Sequence, residues 1–593
     1  VEKVTGQNQG LTGAKFMRRF LPIIIVAVLA IAGWLIYSTN RPGVQTSSGP
    51  ASDAVLENPN PADWPMYRRT YDGAGYSPLN QITKENVRNL QFAWSSFIAA
   101  GVVQVTPIVY QGVLYLPQPG DTIEAYNAKT GDRLWTYARE LPKDVDITPL
   151  YVQRTTRNIA IYQDKIYHAT ADGYVIALDA KTGKLAWETQ IGDYKQMTHV
   201  AGPLVVKGKV ITGRACATTA TEGCFIVAHN AQTGSELWRR YLVPKAGEAG
   251  EDTWGSVAVE KRQQVGAWLV GSYDPVLDLL FWGTSVPLPL SEEVRGSGAA
   301  ELAYTNATLA MKPDTGEIVW SFQHLPRDNW GMDHTYERLV VTTEVSPDAN
   351  TVKWISPKVI AGQERKVITG VPGKTGLVWT LDAASGEFLW ARETIGQNLI
   401  RDINKGTGKP ILNETVIPKA GSVRVCPSNL GGKNWAASAY APELKAIYIP
   451  LVNACMEVGI SGEEITTQLK PAASQPDQLG VLEAISVSTG LTLWRYTQPA
   501  PIGAVLTTAG GLVFAGDVNR RFRAFDAESG KVLWETVTSG PVTGTPISYS
   551  VEGKQYVAVA LGGGTDIERL LELTPDLRPG AGGNALFVFS LPD

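Results

Sequence analysis

Residues 177–187 read ALDAKTGKLAW, and the phrase returns as AYNAKTGDRLW at 125–135, AHNAQTGSELW at 228–238 and AMKPDTGEIVW at 310–320. It continues as TLDAASGEFLW at 380–390, AISVSTGLTLW at 484–494 and AFDAESGKVLW at 524–534. Each copy is an alternating strand ending near Asp or Asn, a Thr/Ser-Gly turn and a second strand closing on Trp. The glycine supplies the positive φ of the turn, so the two strands pair as a hairpin. The closing tryptophans are Trp135, Trp187, Trp238, Trp320, Trp390, Trp494 and Trp534, and Trp94 in LQFAW stands as an eighth with altered upstream residues. The shortest spacings, about 40 to 50 residues, suffice for a four-stranded sheet. The expectation is an all-β, eight-bladed β-propeller over residues 63–593, with each Trp a structural plug between neighbouring blades. Longer gaps, such as Trp390 to Trp494, would hold loops on one face. The strand ALFVFSLP at 585–592 would complete the blade begun near Trp94.

Composition agrees with many short strands: 19% of residues are charged, and Gly, Trp and Tyr are abundant. A formal net charge of −4 leaves no basic footprint for nucleic acid. The four cysteines, Cys216, Cys224, Cys426 and Cys455, form neither CxxC nor CxxCH, which argues against covalent haem and a zinc ribbon. In an exported domain such a sparse even set reads as two disulfides. The five histidines are scattered without HxxxH or HExxH, as expected of surface or loop positions rather than a metal site.

Residues 20–37, FLPIIIVAVLAIAGWLIY, carry no charge and approach the length needed to cross a bilayer. Lys15, Arg18 and Arg19 precede them, and Trp34 and Tyr37 mark the far end. The positive-inside rule then keeps residues 1–19 cytoplasmic and exports the rest. The reading is one N-terminal transmembrane helix, single-pass in a bacterial inner membrane, with the propeller in the periplasm. The rival is a cleaved signal peptide with Ala30-Ile31-Ala32 as its small-residue site. Residues 38–62, rich in Pro, Ser and Asn, read as a flexible tether.

With YSPLNQITKENVRNLQFAW at 76–94, GSYDPVLDLLFWGT at 271–284, GGKNWAASAYAPELKAIYIP at 431–450, TAGGLVFAGD at 508–517 and GKQYVAVALGGG at 553–564, the repeat resembles the pyrroloquinoline quinone (PQQ)-dependent alcohol dehydrogenases. The resemblance runs from Trp64 to the end. It implies an eight-bladed periplasmic quinoprotein that passes electrons to a cytochrome or to membrane quinone. It also implies PQQ with calcium or a lanthanide, a carboxylate base for the alcohol proton, and oxygen ligands for the ion.

By that resemblance Trp268 is the floor under the quinone, Arg157 binds a cofactor carboxylate, Lys374 lies near the quinone oxygens, and Asn434 contacts the cofactor. The catalytic groups depart from the pattern. PRDNWGMD at 326–333 places Gly331 where the family has its base, leaving Asp328 and Asp333 as candidates. Asp333 falls where lanthanide-using members carry an extra carboxylate. Val286 in GTSVP stands for the metal-binding Asn, and Thr218 or Thr219 for the metal-binding Glu, with Glu222 able to substitute only if its loop shifts. Tyr151 and Val152 replace the family's adjacent cysteine pair, Gln104 a cofactor-contacting Glu, and Ile502 and Thr565 positions often Trp. The resemblance pairs Cys426 with Cys455; Cys216 and Cys224 could staple the rebuilt loop.

Two functions follow. The first is a pseudoenzyme: an anchored propeller, catalytically degenerate, serving as a scaffold or interaction subunit of a membrane complex. The alternative is an active PQQ-dependent alcohol dehydrogenase with a divergent metal site and Asp333 or Asp328 as base. Carboxylates poised near Trp268 and Lys374 would favour the enzyme; side chains filling the cavity would favour the scaffold.

Overall fold

A hairpin of this repeat is set by its Asp or Asn. Asp179 Oδ1 accepts the Thr182 amide at 2.8 Å, and its carbonyl accepts that of Gly183 at 2.8 Å. Asn127, Asn230, Asp382 and Asp526 make the equivalent side-chain bonds to the turns that follow them. The computed structural model describes residues 49–145, 155–198, 200–216, 223–258, 261–262, 265–419, 421–461, 464–580 and 583–593. The fold is an all-β propeller. Among the described residues are eight sheets of four or five strands, each carrying one of the eight repeat tryptophans. The Trp135 sheet is typical, running Ile108–Tyr110, Val113–Gln118, Thr122–Asn127 and Arg133–Ala138 in antiparallel order. The Trp94 sheet joins the two ends of the described chain: Gln91–Phe97 pairs with Ala585–Ser590, which pairs with Lys554–Leu561.

The turn glycine has a second role that the repeat alone did not disclose. A Cβ placed on Gly131 would stand 2.6 Å from the Trp94 ring, and one on Gly234 would stand 2.6 Å from Trp187. Gly183, Gly316, Gly386 and Gly530 lie in the same way against Trp135, Trp238, Trp320 and Trp494, while Gly490 meets Val352 and then Trp390. Each indole therefore lies on the turn of the next sheet. Several also donate Nε1–H to a carbonyl there, Trp135 to Ala180 at 3.0 Å and Trp494 to Ala527 at 2.9 Å. Trp534 donates to Leu90 at 3.1 Å, which returns the series to the Trp94 sheet. A well-buried tryptophan removes on the order of 150–250 Å² from water. At about 25 cal/mol per Å² the series is a leading source of stability between sheets.

The long Trp390–Trp494 interval contains a two-stranded sheet, Ile400–Ile403 with Pro410–Leu412, and a three-stranded one, Ser422–Val425, Ala454–Ser461 and Glu464–Pro471. Cys426–Cys455 ties the second together, and Cys216–Cys224 closes the 213–224 loop. Both expected bridges are present.

The expected span at 20–37 and the segment at 1–19 lie outside the described residues, and no helix among the described residues is long and apolar enough to cross a membrane. The described part of the 38–62 stretch differs from a free tether. Ala51 exchanges backbone hydrogen bonds with Gln163, and a short helix, Asp53–Glu57, buries Leu56. Its Pro and Asn content suits a tether, but these two apolar side chains gain more by packing. The histidines differ too: His168, His229, His324 and His334 are all buried, and His199 lies outside the described residues. His168 meets Asp121 at 2.9 Å and His324 meets Thr308 at 2.8 Å, whereas both ring nitrogens of His229 are buried without a hydrogen-bond partner.

Candidate active site

The loop between strands Ile318–Gln323 and Leu339–Val345 is organised by Asp328. Its carboxylate accepts the amides of Trp330 at 2.7 Å, Gly331 at 3.0 Å and Met332 at 2.7 Å, and Asn306 Nδ2 at 2.9 Å. Burial pushes the Asp328 carboxyl above its ordinary range, against the opposing pull of these bonds. Every visible role of this side chain is to shape the loop. Gly331 has φ +86°, a conformation that favours glycine, so the backbone itself accounts for the residue at that position.

What the loop delivers is Asp333. Its Oδ2 receives Lys374 Nζ at 2.6 Å, and its Oδ1 receives the Ser285 hydroxyl and Trp268 Nε1, the latter at 3.3 Å. Burial alone would raise the Asp333 carboxyl, but the Lys374 charge and the bonds from Lys374, Ser285 and Trp268 outweigh it and hold the group below the usual range. Lys374 is fixed from both ends. Its amide donates to the Asp333 carbonyl at 3.1 Å, and its Nζ also reaches the Gly331 carbonyl at 3.2 Å. The preceding Gly373 admits the His334 ring, which a Cβ there would strike. Burial and the nearby Arg338 charge lower His334 to about 3, so it stays neutral behind the ion pair.

Around this pair stand the other expected residues. The Arg157 guanidinium lies over the Trp268 ring, 5.1 Å from its centroid, and donates to the Val200 carbonyl at 3.0 Å. Trp268 meets Tyr336 edge-on at 5.6 Å, and the Tyr336 hydroxyl donates to Asn434 Oδ1 at 3.0 Å. Trp268, Asp333, Lys374, Asn434 and Arg157 thus form one continuous set. Ser285 and Tyr336 complete it and were not foreseen. Ser285 adjoins Val286 in GTSVP, and Tyr336 follows Asp333 by three residues, but neither sits in a pattern that marks chemistry.

The site also contains a group left without a protein partner: Arg157 Nε, on the guanidinium that lies over Trp268, is buried and unbonded. Gln104 is buried too, with its Oε1 unbonded. Buried polar atoms in this state are costly, and a carboxylate on a flat ring laid against Trp268 would meet Arg157 Nε. The donors for a metal ion fit less well. Among the described residues no three His, Cys, Asp or Glu side chains gather to hold one. Val286 offers only hydrocarbon, and the Asp333 charge is already paired with Lys374, whose ammonium would repel a second cation. Thr218, Thr219, Glu222, Tyr151 and Val152 lie outside the described residues. Ile502 is buried in an apolar cluster with Val505 and Trp494.

The chain matches a family model described as PQQ glucose/ethanol/alcohol dehydrogenase, beta-propeller domain, over residues 64–395 and 477–557. It is 30% identical to the dehydrogenase subunit of an alcohol dehydrogenase (quinone) from Gluconacetobacter polyoxogenes, covering 92% of this chain and 78% of that one. It is 32% identical to a 1-butanol dehydrogenase (cytochrome c) from Thauera butanivorans, covering 88% and 78%. The solved quinohemoprotein alcohol dehydrogenase ADHIIG of Pseudomonas putida HK5 superposes with a TM-score of 0.80 at 28% identity, over 92% of this chain and 83% of that one.

Proposed function

We propose, because this chain belongs to the PQQ-dependent alcohol dehydrogenase family, that it is an active quinoprotein alcohol dehydrogenase rather than a degenerate scaffold. The observation that carries this reading is the ionised Asp333 carboxylate held beside Lys374 at the Nε1 edge of Trp268. Trp268 would form the floor of the cofactor site, and Arg157 would meet a carboxylate of the cofactor. Asn434, oriented by Tyr336, would contact its edge. When bound, PQQ supplies an electrophilic carbonyl able to accept hydride from an alcohol carbon. Asp333 Oδ2 takes the alcohol's hydroxyl proton. As it does so its attraction for Lys374 falls, and the ammonium is left beside the negative charge that develops in the reaction. Ser285 and Trp268 hold Oδ1 throughout and keep the carboxylate in one orientation. No step is assigned to calcium or a lanthanide, because the described donors do not make a site for one.

The closed docking series from Trp94 to Trp534 supports an eight-bladed ring. The apolar segment 20–37 and the two disulfides support an inner-membrane anchor with the propeller in the periplasm. The electron acceptor is then a cytochrome or membrane quinone, in keeping with the cytochrome c named for the Thauera relative. The scaffold reading draws on Gly331 and Val286. A titration of the purified chain with PQQ, alone and with calcium or a lanthanide, separates the two. Saturable cofactor absorbance, weakened by Arg157→Ala, is expected of the enzyme; no binding under any condition would leave the scaffold.

A further inference from the structure

A small internal cavity of ≈ 20 Å³ lies where the first strands of three consecutive sheets meet the segment after Met66. Ala160–Tyr162, Leu204–Val206 and Ser272–Asp274 supply part of its wall, and Glu337 and Arg338 another. Its volume suits one particle of about the size of water. It is separate from the Asp333 centre.

The charges around it do not balance. Arg68 and Arg338 are each 2% exposed and Lys433 is 1% exposed. Among the described residues the only acidic group lining the cavity, Glu337, is committed elsewhere: Lys433 Nζ reaches it at 2.9 Å and the Ser438 amide at 2.5 Å. Among the described residues no carboxylate lies within 4.0 Å of either guanidinium. Three buried cations therefore face one buried carboxylate. Charges so placed are normally paired, because desolvation is expensive.

The hydrogen bonds are also incomplete, and on one side only. Every nitrogen of Arg338 has an acceptor, among Thr308 Oγ1 and the carbonyls of Tyr336, Ala307 and His334. Arg68 uses only Nη2, on the carbonyls of Ser438 and Val505, so its Nε and Nη1 are buried without an acceptor. Ser272 Oγ, on the same cavity, is buried and unbonded as well. Burial lowers the affinity of both guanidinium groups for their protons, Arg338 to about 9; guanidinium groups keep their charge in proteins.

We propose that this cavity is a binding site for one small monovalent anion of the halide class, chloride in practice, held by Arg68 Nε and Nη1 and by Ser272 Oγ. A water molecule would meet the idle donors but would leave the excess positive charge in place. An anion meets both. The Ser272–Asp274 strand and the Met66–Gly73 segment would then be joined through the ion, so its effect is on stability rather than on the chemistry at Asp333.

Thermal unfolding of the full chain in sodium chloride, bromide or gluconate at equal ionic strength tests this. The expected result is a saturable rise of the midpoint by a few degrees with chloride and bromide but not gluconate, abolished in Arg68→Leu. If Arg68→Leu does not fold, crystals of the native chain grown in bromide should show anomalous density in the cavity beside Arg68. Equal midpoints in all three salts, the same chloride response in Arg68→Leu, or a bromide-free cavity would each overturn the proposal.

Discussion

Trp94 on Gly131 and Asp333 against Lys374 are both contacts between separate stretches of chain, yet they are built in different ways. The first is one of a series: the same turn and the same indole recur from sheet to sheet, and each contact involves only adjacent repeats. The second occurs once. It needs a loop shaped by Asp328, a glycine at 373 to admit His334, and Ser285 and Trp268 from a third and fourth segment. A redundant frame tolerates the weakening of one copy, whereas a centre assembled from single-copy parts does not. The frame can therefore be kept while the centre diverges.

Breaking the centre should have the largest effect. Lys374→Met leaves the Asp333 carboxylate buried without its cation, a loss of about 3–5 kcal/mol of stability in denaturant unfolding. Turnover of the reconstituted protein should fall by roughly 10²–10³-fold. Opening the Cys426–Cys455 bridge by Cys455→Ser should cost about 2–4 kcal/mol, read as a lower unfolding midpoint. A Gly183→Ala change forces a methyl into the Trp135 ring and a left-handed turn on alanine. That overpacking should cost about 1–3 kcal/mol, with turnover per folded molecule unchanged. A Gly183→Ala variant that lost turnover as completely as Lys374→Met would erase the distinction between the regions.

The smallest effect is on pH dependence. Against the opposing effect of burial, the Lys374 charge and its hydrogen bond hold the Asp333 carboxyl below the ordinary carboxylate range in the folded protein. Its ionised form thus contributes stability that is present above the unfolded value and lost as pH falls through the lower, folded one. The acid limb of kcat/KM should accordingly lie below the ordinary carboxylate range, and it should move upward in Lys374→Arg if the guanidinium sits farther from Oδ2. A limb near pH 6 would assign the proton acceptor to another group.

The frame was legible because periodicity, turn chemistry and the closing tryptophan all repeat; the joining of 91–97 to 585–590 was expected as well, as the C-terminal strand completing the Trp94 blade. What could not be read was why the turn glycine is required, since the indole that lies on it comes from another repeat. At the centre, Trp268, Arg157, Lys374, Asn434 and Asp333 were legible by resemblance. Asp328 was placed with Asp333 as a candidate base, and only the three amides on its carboxylate reveal its different work. Ser285 and Tyr336 were invisible, being ordinary residues made important by what folds against them. The burial of the histidines was missed for the same reason: they occupy strands and loops whose neighbours come from elsewhere in the chain.

The account rests on Asp333 as the proton acceptor of a working site. Its most direct test is dye-linked alcohol oxidation by the purified chain loaded with PQQ, comparing native protein with Asp333→Ala at equal bound cofactor. The account predicts measurable turnover in the native protein and a loss of roughly 10²–10⁴-fold in the variant. Equal turnover in the two, or none in native protein that has demonstrably bound PQQ with calcium or a lanthanide supplied, would contradict it.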